Sequence, residues 1–185
     1  MKTLSKKEFL KRMKPLGVVA PEKYPETLML EGAGDFRCAW IVPQELKALH
    51  PFISPLIDAT EPKGTIYLFP RAGAWRSAGT TFIQYLYDII FAAAACSPDA
   101  DVVLETVEKD RDAVDALAMY SLMFGGCVDN DIMLVSDTCG VILYMSHHDT
   151  VFGQFRDETA MKTYLGKTYS LEQYRRKNIP GAAEV

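Results

Sequence analysis

The fold is decided by residues 132–155, which read IMLVSDTCGVILYMSHHDTVFGQF. This stretch holds three β-rich runs, Ile132 to Ser136, Val141 to Ser146 and Val151 to Phe155, separated by short segments that favour turns. Such short connections join antiparallel neighbours, whereas parallel strands need a crossover of a dozen or more residues. The stretch therefore predicts a three-stranded antiparallel meander in the C-terminal half.

The most apolar helix is predicted before the meander, from about Phe82 to Ala95. One face of this helix carries Phe82, Leu86, Ile89, Ile90 and Ala93. Aromatic residues and alanines leave little polar surface on the other side, and a helix that is apolar all round is normally buried. We expect this segment to be the central core helix.

Other elements are predicted from caps, breakers and periodicity. A capping box at Ser5 and Glu8 indicates an N-terminal helix, and Pro51 and Pro55 are expected to end a short helix that begins at Pro43. Further helices are predicted near residues 110–122, 158–165 and 171–177, and further strands near residues 27–30, 36–42, 65–69 and 102–105. The insert EGAGD at residues 31–35 suggests that the first two of these strands form a hairpin.

These elements together predict the α+β class. We expect an antiparallel sheet, including the C-terminal three-stranded meander, packed against a central apolar helix and additional helices. A chain of 185 residues suits one domain over residues 1–185, in which residues 180–185 form a flexible tail.

Composition excludes several classes of function. Hydrophobic residues make up 49% of the chain, but its longest apolar run, Ile89 to Cys96, is too short to cross a bilayer. The net charge of −4 gives no basic field for nucleic acid. We find no export signal and expect a soluble, cytoplasmic protein with no membrane or nucleic-acid partner. Its oligomeric state is left open.

The four cysteines, Cys38, Cys96, Cys127 and Cys139, are widely spaced and form no CxxC pair. We interpret them as free thiols, and at least three of them as small core residues. None has the local signature of a catalytic nucleophile, so the sequence predicts no catalytic residue, metal or cofactor.

The first candidate site is His147, His148 and Asp149, which follow Ser146. Imidazole and carboxylate groups bind divalent cations, and imidazole titrates near neutral pH. Adjacent side chains of a strand point to opposite faces, however, so the two histidines share one ligand only if the backbone turns there. The favoured interpretation is the polar tip of a β-hairpin, with the histidines kept as candidate ligand-binding residues. A three-histidine zinc site with His50 is the sharper but less favoured hypothesis.

The second candidate site lies between a predicted strand and the apolar helix. It comprises Arg71, Trp75, Arg76, Ser77, Thr80 and Thr81. Free amides at a helix start, with arginines and hydroxyls nearby, suit a phosphate or carboxylate. The spacing matches neither a P-loop nor a dinucleotide fingerprint. A connecting loop with Trp75 packed on the surface is the alternative interpretation.

Two hypotheses about function follow. The first is a non-enzymatic protein-binding or interaction domain that works through surface shape, charge and exposed aromatic residues such as Trp75. Small bacterial immunity and adaptor proteins have this general make-up, by architecture and composition only. The alternative is a small enzyme or ligand-binding protein whose anion-binding pocket uses Arg71 and Arg76 together with His147 and His148.

Overall fold

The computed structural model describes residues 1–32, 36–61, 63–71, 75, 81–98, 102–124, 131–138, 140–146 and 148–176. The strands are β1 (Lys2–Ser5), β2 (Val18–Val19), β3 (Met29–Leu30), β4 (Arg37–Ile41), β5 (Ile66–Pro70), β6 (Val102–Thr106), β7 (Ile132–Ser136), β8 (Val141–Ser146) and β9 (Thr150–Phe155). The helices are α1 (Lys6–Met13), α2 (Leu46–Thr60), α3 (Thr81–Ala93), α4 (Arg111–Phe124) and α5 (Glu158–Lys167), with short 3-10 turns at Lys14–Leu16, Glu108–Asp110 and Tyr169–Tyr174.

Seven of the described strands form one antiparallel sheet in the order β1-β6-β5-β7-β8-β9-β4. The meander predicted from residues 132–155 supplies the fourth, fifth and sixth strands of this order, because β7 pairs with β8 and β8 with β9. The α+β class and the antiparallel sheet are thus confirmed. At the outer edge of β4, Arg175 forms a bridge with Trp40, and the backbone N–H of Arg176 donates to the carbonyl of Ala39 at 2.8 Å.

The sheet is apolar on both faces, so both faces are covered. On β8, Val141, Leu143 and Met145 pack into a core with the buried sides of the helical layer that contains α2, α4 and α5. The intervening residue Ile142 belongs to a second core, which includes Phe9 of α1. A strand that is buried on both faces has apolar residues at successive positions, which explains the continuous apolar runs in the sequence of the meander.

The helix at the centre of the larger core is α2, and the expectation that Pro51 ends it is wrong. The helix runs through both Pro51 and Pro55 to Thr60. Each proline removes a backbone donor. The helix persists because one face buries a row of large apolar side chains, namely Leu49, Phe52, Ile53, Leu56 and Ile57. Tertiary burial outweighs the local propensity to break.

The predicted hairpin between residues 27–30 and 36–42 is also wrong. Strand β3 pairs with β2 in a separate two-stranded ribbon, while β4 pairs with β9 at the edge of the main sheet. The insert residues 33–35 lie outside the described residues. Apolar pairing partners elsewhere in the chain decide where each strand goes, and a short-range turn signal carries no information about them.

Strand β9 and its neighbours are packed around a glycine. A Cβ built on Gly153 would lie 3.0 Å from Phe155 Cζ and 3.1 Å from Trp40 Cζ3. These two rings also pack on Tyr164 of α5, with centroid distances of 5.2 and 5.9 Å. The absence of a side chain at residue 153 therefore gives the aromatic rings room to connect the sheet to α5.

We predict that Gly153→Ala destabilises the fold by about 1–3 kcal/mol, because overpacked rings must leave their preferred rotamers. Urea denaturation measures the change in the free energy of unfolding. The matched control is Gly166→Ala in α5, where a Cβ meets no atom within 4 Å. This control is expected to be neutral or stabilising by up to about 1 kcal/mol. Equal effects of the two substitutions would contradict the packing argument.

Candidate functional site

The structure describes part of each candidate site. Arg71 follows β5 directly, and Trp75 is described, whereas Arg76, Ser77 and Thr80 lie outside the described residues. Thr81 begins α3, but its side chain is outside the description. His147 is outside it as well, and so are Cys127 and Cys139. The combined anion site and the pair of histidines therefore stay predictions.

The polar run at residues 146–149 falls at the turn between β8 and β9, where Ser146 pairs with Thr150. Asp149 has a left-handed backbone with φ of 51°, and its carbonyl accepts a hydrogen bond from the N–H of Val42 at 3.0 Å. The Ser146 hydroxyl accepts from the N–H of His148 at 3.2 Å. The side chains of His148 and Asp149 are exposed. The turn is thus fixed by backbone and hydroxyl bonds.

Arg71 is held in a hydrogen-bonded network on one face of the sheet. Its Nη1 donates to Asp131 Oδ2 at 3.1 Å and to the phenol oxygen of Tyr144 at 2.6 Å. The Tyr144 hydroxyl donates in turn to Asp131 Oδ2 at 2.5 Å. The Asp131 side chain is only 4% exposed, whereas that of Arg71 is 33% exposed. A buried carboxylate and a half-buried guanidinium thus neutralise each other.

The strand register brings parts of the two candidate sites to one end of the sheet. The N–H of Arg71 bonds to the carbonyl of Asp131, and Ile132, the next residue, pairs with Met145 of β8. Arg71 and Ser146 therefore lie two strands apart, roughly 10 Å given the usual strand spacing. Among the described residues, Asp131 and Tyr144 connect them, because both bond to Arg71 and Tyr144 also shares a side-chain hydrogen bond with Ser146.

The electrostatics of this network favour a structural role. Burial and the bond to Asp131 hold the pKa of Tyr144 well above its usual range, so the phenol stays protonated at neutral pH. Burial of Arg71 opposes its charge, but Tyr144 and Asp131 outweigh this effect and raise the pKa of the guanidinium. Asp131 already neutralises the charge of Arg71 within the network, so little positive charge is left for an external anion.

Trp75 is not a surface residue, so the expectation of an exposed aromatic there is wrong. Its side chain is 2% exposed, and its indole N–H donates to the carbonyl of Val102 at 2.7 Å. The ring packs edge-on against Tyr87 and Phe91 of α3. A satisfied indole donor and two aromatic neighbours explain the burial, and this contact attaches α3 to the start of β6.

Helix α3 is strongly apolar, as predicted, but it is not the central core helix. Its inner side buries Tyr87, Ile90 and Phe91. Its outer side is exposed: Phe82 and Tyr85 are each 61% exposed, and Ile89 is 49% exposed. Helical spacing places the exposed Ala92 and Ala93 on the same side. We call this surface of Phe82, Tyr85, Ile89, Ala92 and Ala93 the α3 face.

The position of α3 in the fold explains the exposure. The helix packs against α4, which itself contacts α2 and the sheet, so α3 lies on the outside of the helical layer. Its apolar period predicted burial correctly for one side only. The sequence shows little polar surface on this helix but does not reveal that the helix is peripheral, and so it does not reveal that one apolar side stays exposed.

A cleft of about 280 Å³ opens beside the α3 face. Its lining consists of Trp75, Gln84, Asp88, Phe91, Ala92, Cys96, Ser97 and Pro98. Burial raises the pKa of the Cys96 thiol, so this group is neutral at physiological pH. Among the described residues of the lining, Asp88 is therefore the charged group. We call this feature the α3 cleft.

A second polar cluster lies between α2 and α4. Asp115 Oδ2 is 3.5 Å from His50 Nε2, and a hydrogen bond from Ser54 also reaches the carboxylate. Two buried atoms in this cluster, Asp115 Oδ1 and Arg111 Nη1, have no hydrogen-bond partner. Burial raises the pKa of Asp115, against the opposing influence of Ser54 and His50. Such a cluster specifies how two helices pack at some expense of stability.

Among the described residues, no three His, Cys, Asp or Glu side chains are grouped to hold a metal ion. No helix in the described part of the chain has the length and apolarity needed to cross a membrane. Comparison with known proteins gives no match: no family model fits the sequence, and no curated protein or solved structure is similar to the chain. Function is therefore argued from the site alone.

For the network at the sheet end, we predict that Arg71→Met lowers the free energy of unfolding by about 2–4 kcal/mol, because Asp131 is left charged and buried. The double variant Arg71→Met/Asp131→Leu should recover most of this loss. The control is Lys162→Met, which breaks an exposed pair with Glu158 at 2.7 Å and should lose less than about 1 kcal/mol. Additive losses in the double variant would contradict the coupling.

For the α2–α4 cluster, we predict a pH-dependent effect of Asp115→Asn. A pKa raised in the folded state means that the native protein binds more protons than the unfolded chain just above pH 3.8, so stability falls as pH rises through that window. Because asparagine does not ionise, the free energy of unfolding of the variant lacks this decrease. The variant should therefore gain stability relative to the natural protein from about pH 4 upward.

Urea denaturation across that range measures the difference. Asp112→Asn, at an exposed position of the same helix, is the control and should keep the natural slope. A stability difference between Asp115→Asn and the natural protein that does not change with pH would show that burial of the charge is not its cause.

Proposed function

We propose that this chain is a protein-interaction domain whose docking surface is the α3 face. The observation that carries the proposal is the exposure of Phe82, Tyr85 and Ile89, three large apolar side chains that lie along one side of a single helix. Residues at positions i, i+3 and i+7 are the anchors with which an amphipathic helix fills an apolar groove. Contiguous exposed apolar surface of this kind marks interaction sites in soluble proteins.

Energetics support a partner for this face. Full burial of a large apolar side chain is worth about 1.5–3 kcal/mol, and each of the three anchors has about half of its surface left to bury. The three together would contribute about 2–5 kcal/mol to association. Aromatic residues such as Phe82 and Tyr85 are also the types that dominate binding energy in interfaces. The face is thus suited to carry a specific interaction.

A protein surface fits the α3 face better than a lipid surface. Helices that lie in a membrane interface present lysine and arginine on their polar side, where they attract anionic lipids. Helix α3 contains no basic residue, and its one charged residue is Asp88. A negative charge would be repelled by an anionic bilayer, so the chemistry of the helix supports a protein partner.

The alternative of an anion-binding pocket or small enzyme receives less support. Arg71, its described cation, is already paired with Asp131 and Tyr144. His148 lies exposed in a turn. A binding function without turnover, of the kind that adaptor and immunity proteins perform in the cytoplasm, needs none of these groups. We therefore favour the interaction function.

In the test, the tagged full chain captures partners from a lysate of the cells that naturally contain it. The captured partner is then purified and titrated against the chain to measure the Kd. Tyr85→Glu places a charge in the middle of the α3 face and should raise the Kd at least about thirtyfold, because loss of an aromatic anchor costs about 2 kcal/mol or more. Ile89→Glu should have a comparable effect. Circular dichroism and thermal melting check that both variants fold.

Tyr169→Glu is the matched control, because Tyr169 is an aromatic residue that is 78% exposed on another surface. It should bind the partner as the natural protein does. A captured partner whose Kd is the same for Tyr85→Glu and Tyr169→Glu would overturn the proposed docking surface. Failure of the natural chain to bind any purified candidate would overturn the proposed function itself.

A further inference from the structure

The α3 cleft adjoins the α3 face, so a partner seated on the face also covers the cleft. Ala92 belongs to both, and Asp88 stands on the rim between them, one helical turn from Tyr85 and Gln84. Trp75 and Phe91 line the cleft, but they are only 2% and 5% exposed and offer little ring surface to a side chain that enters it. Such a side chain would meet the exposed Ala92 and the carboxylate of Asp88 at the rim.

The charge on that rim is not neutralised within the described part of the chain. Asp88 Oδ1 accepts a hydrogen bond from Gln84 Nε2 at 2.8 Å, and no described lysine, arginine or histidine forms an ion pair with the carboxylate. An exposed carboxylate in water needs no partner. Once an apolar partner covers the face, however, the same carboxylate would lose its hydration, which is costly without a counter-charge.

Arginine and lysine side chains match both parts of the cleft. Their aliphatic stems pack along apolar surface while the charged group stays at the edge. Arginine also pairs well with a carboxylate, through two parallel hydrogen bonds. Among the described lining residues the Cys96 thiol is neutral, so Asp88 is the carboxylate there with which a cation would pair.

We propose, building on the function proposed above, that the partner of the α3 face is a protein segment that inserts one arginine or lysine into the α3 cleft. The charged group pairs with Asp88, and the aliphatic stem packs along the exposed Ala92. The apolar residues flanking this basic residue on the partner contact Tyr85 and Ile89. The partner is accordingly a basic protein surface with apolar anchors beside one central cation.

A second copy of this chain does not meet that requirement. The α3 face offers apolar residues and Asp88 but no cation, so two copies joined through this face would bring two uncompensated carboxylates into one interface. Light scattering after gel filtration distinguishes the cases. A dimer that Tyr85→Glu dissociates would overturn the proposal of a basic partner.

The site itself is tested with a small probe, N-acetyl-arginine amide, titrated into the isotopically labelled full chain and followed by NMR. The indole N–H signal of Trp75 should shift in a saturable manner, while that of Trp40, which packs against Tyr164 at the other side of the helical layer, should stay unchanged. Asp88→Asn should weaken binding at least about fivefold. Asp112→Asn, an exposed carboxylate outside the cleft, should leave binding unchanged.

Two further probes distinguish the contribution of the arginine charge from that of its aliphatic stem. N-acetyl-norleucine amide carries a similar stem without a charge and should bind at least about fivefold more weakly than the arginine probe, and N-acetyl-glutamate amide should not shift Trp75. Equal binding of the arginine and norleucine probes, or no effect of Asp88→Asn, would overturn the assignment of a cation site.

The purified partner separates this inference from the function on which it rests. Asp88→Lys should weaken partner binding at least about tenfold. If Tyr85→Glu abolishes binding while Asp88→Lys does not, the cation site is overturned and the docking face stands. If the arginine probe binds as described while no partner depends on Tyr85, the cleft site stands and the docking face is overturned.

Discussion

Burial on both faces of the central strands is the constraint on which the rest of the structure depends. Strands β7 and β8 carry apolar residues at nearly every position, so neither face of the sheet tolerates water. One face is covered by the helical layer and the other by α1 and the β2–β3 ribbon. Polar residues at one end of the sheet, such as Asp131 before β7 and Tyr144 on β8, are accommodated by hydrogen bonds to each other and to Arg71.

Features of the fold that depend on contacts between segments close in sequence could be predicted, whereas features that depend on contacts between distant segments could not. The meander follows from short loops and continuous apolar runs, which are local, and the structure confirms it. The pairing of β4 with β9 and the persistence of α2 through Pro51 depend on contacts with distant segments, which a single sequence does not display. The same limit applies to α3. Its apolar pattern correctly predicts a helix, but it does not show how many other elements pack against that helix.

The candidate sites show the same division. Residue chemistry drew attention to Arg71 and to the turn after Ser146, yet charge compensation by Asp131 depends on strand register and could not be foreseen. The α3 face was visible in the sequence as apolar residues, but their exposure was not. Polar residues that attract attention in the sequence are thus partly structural here, while residues that read as core form the surface proposed to bind.

The two edges of the sheet add a consequence for how the molecule avoids association through its strands. An open edge strand exposes backbone donors and acceptors that can recruit another chain into a growing sheet. Here the β4 edge is occupied by Arg175 and Arg176, and the opposite edge is the four-residue β1, which carries Lys2. Short length and positive charge are both features that discourage edge-to-edge aggregation. The chain can therefore present the apolar surface of α3 to a partner while its sheet edges offer little open backbone on which a fibril could grow.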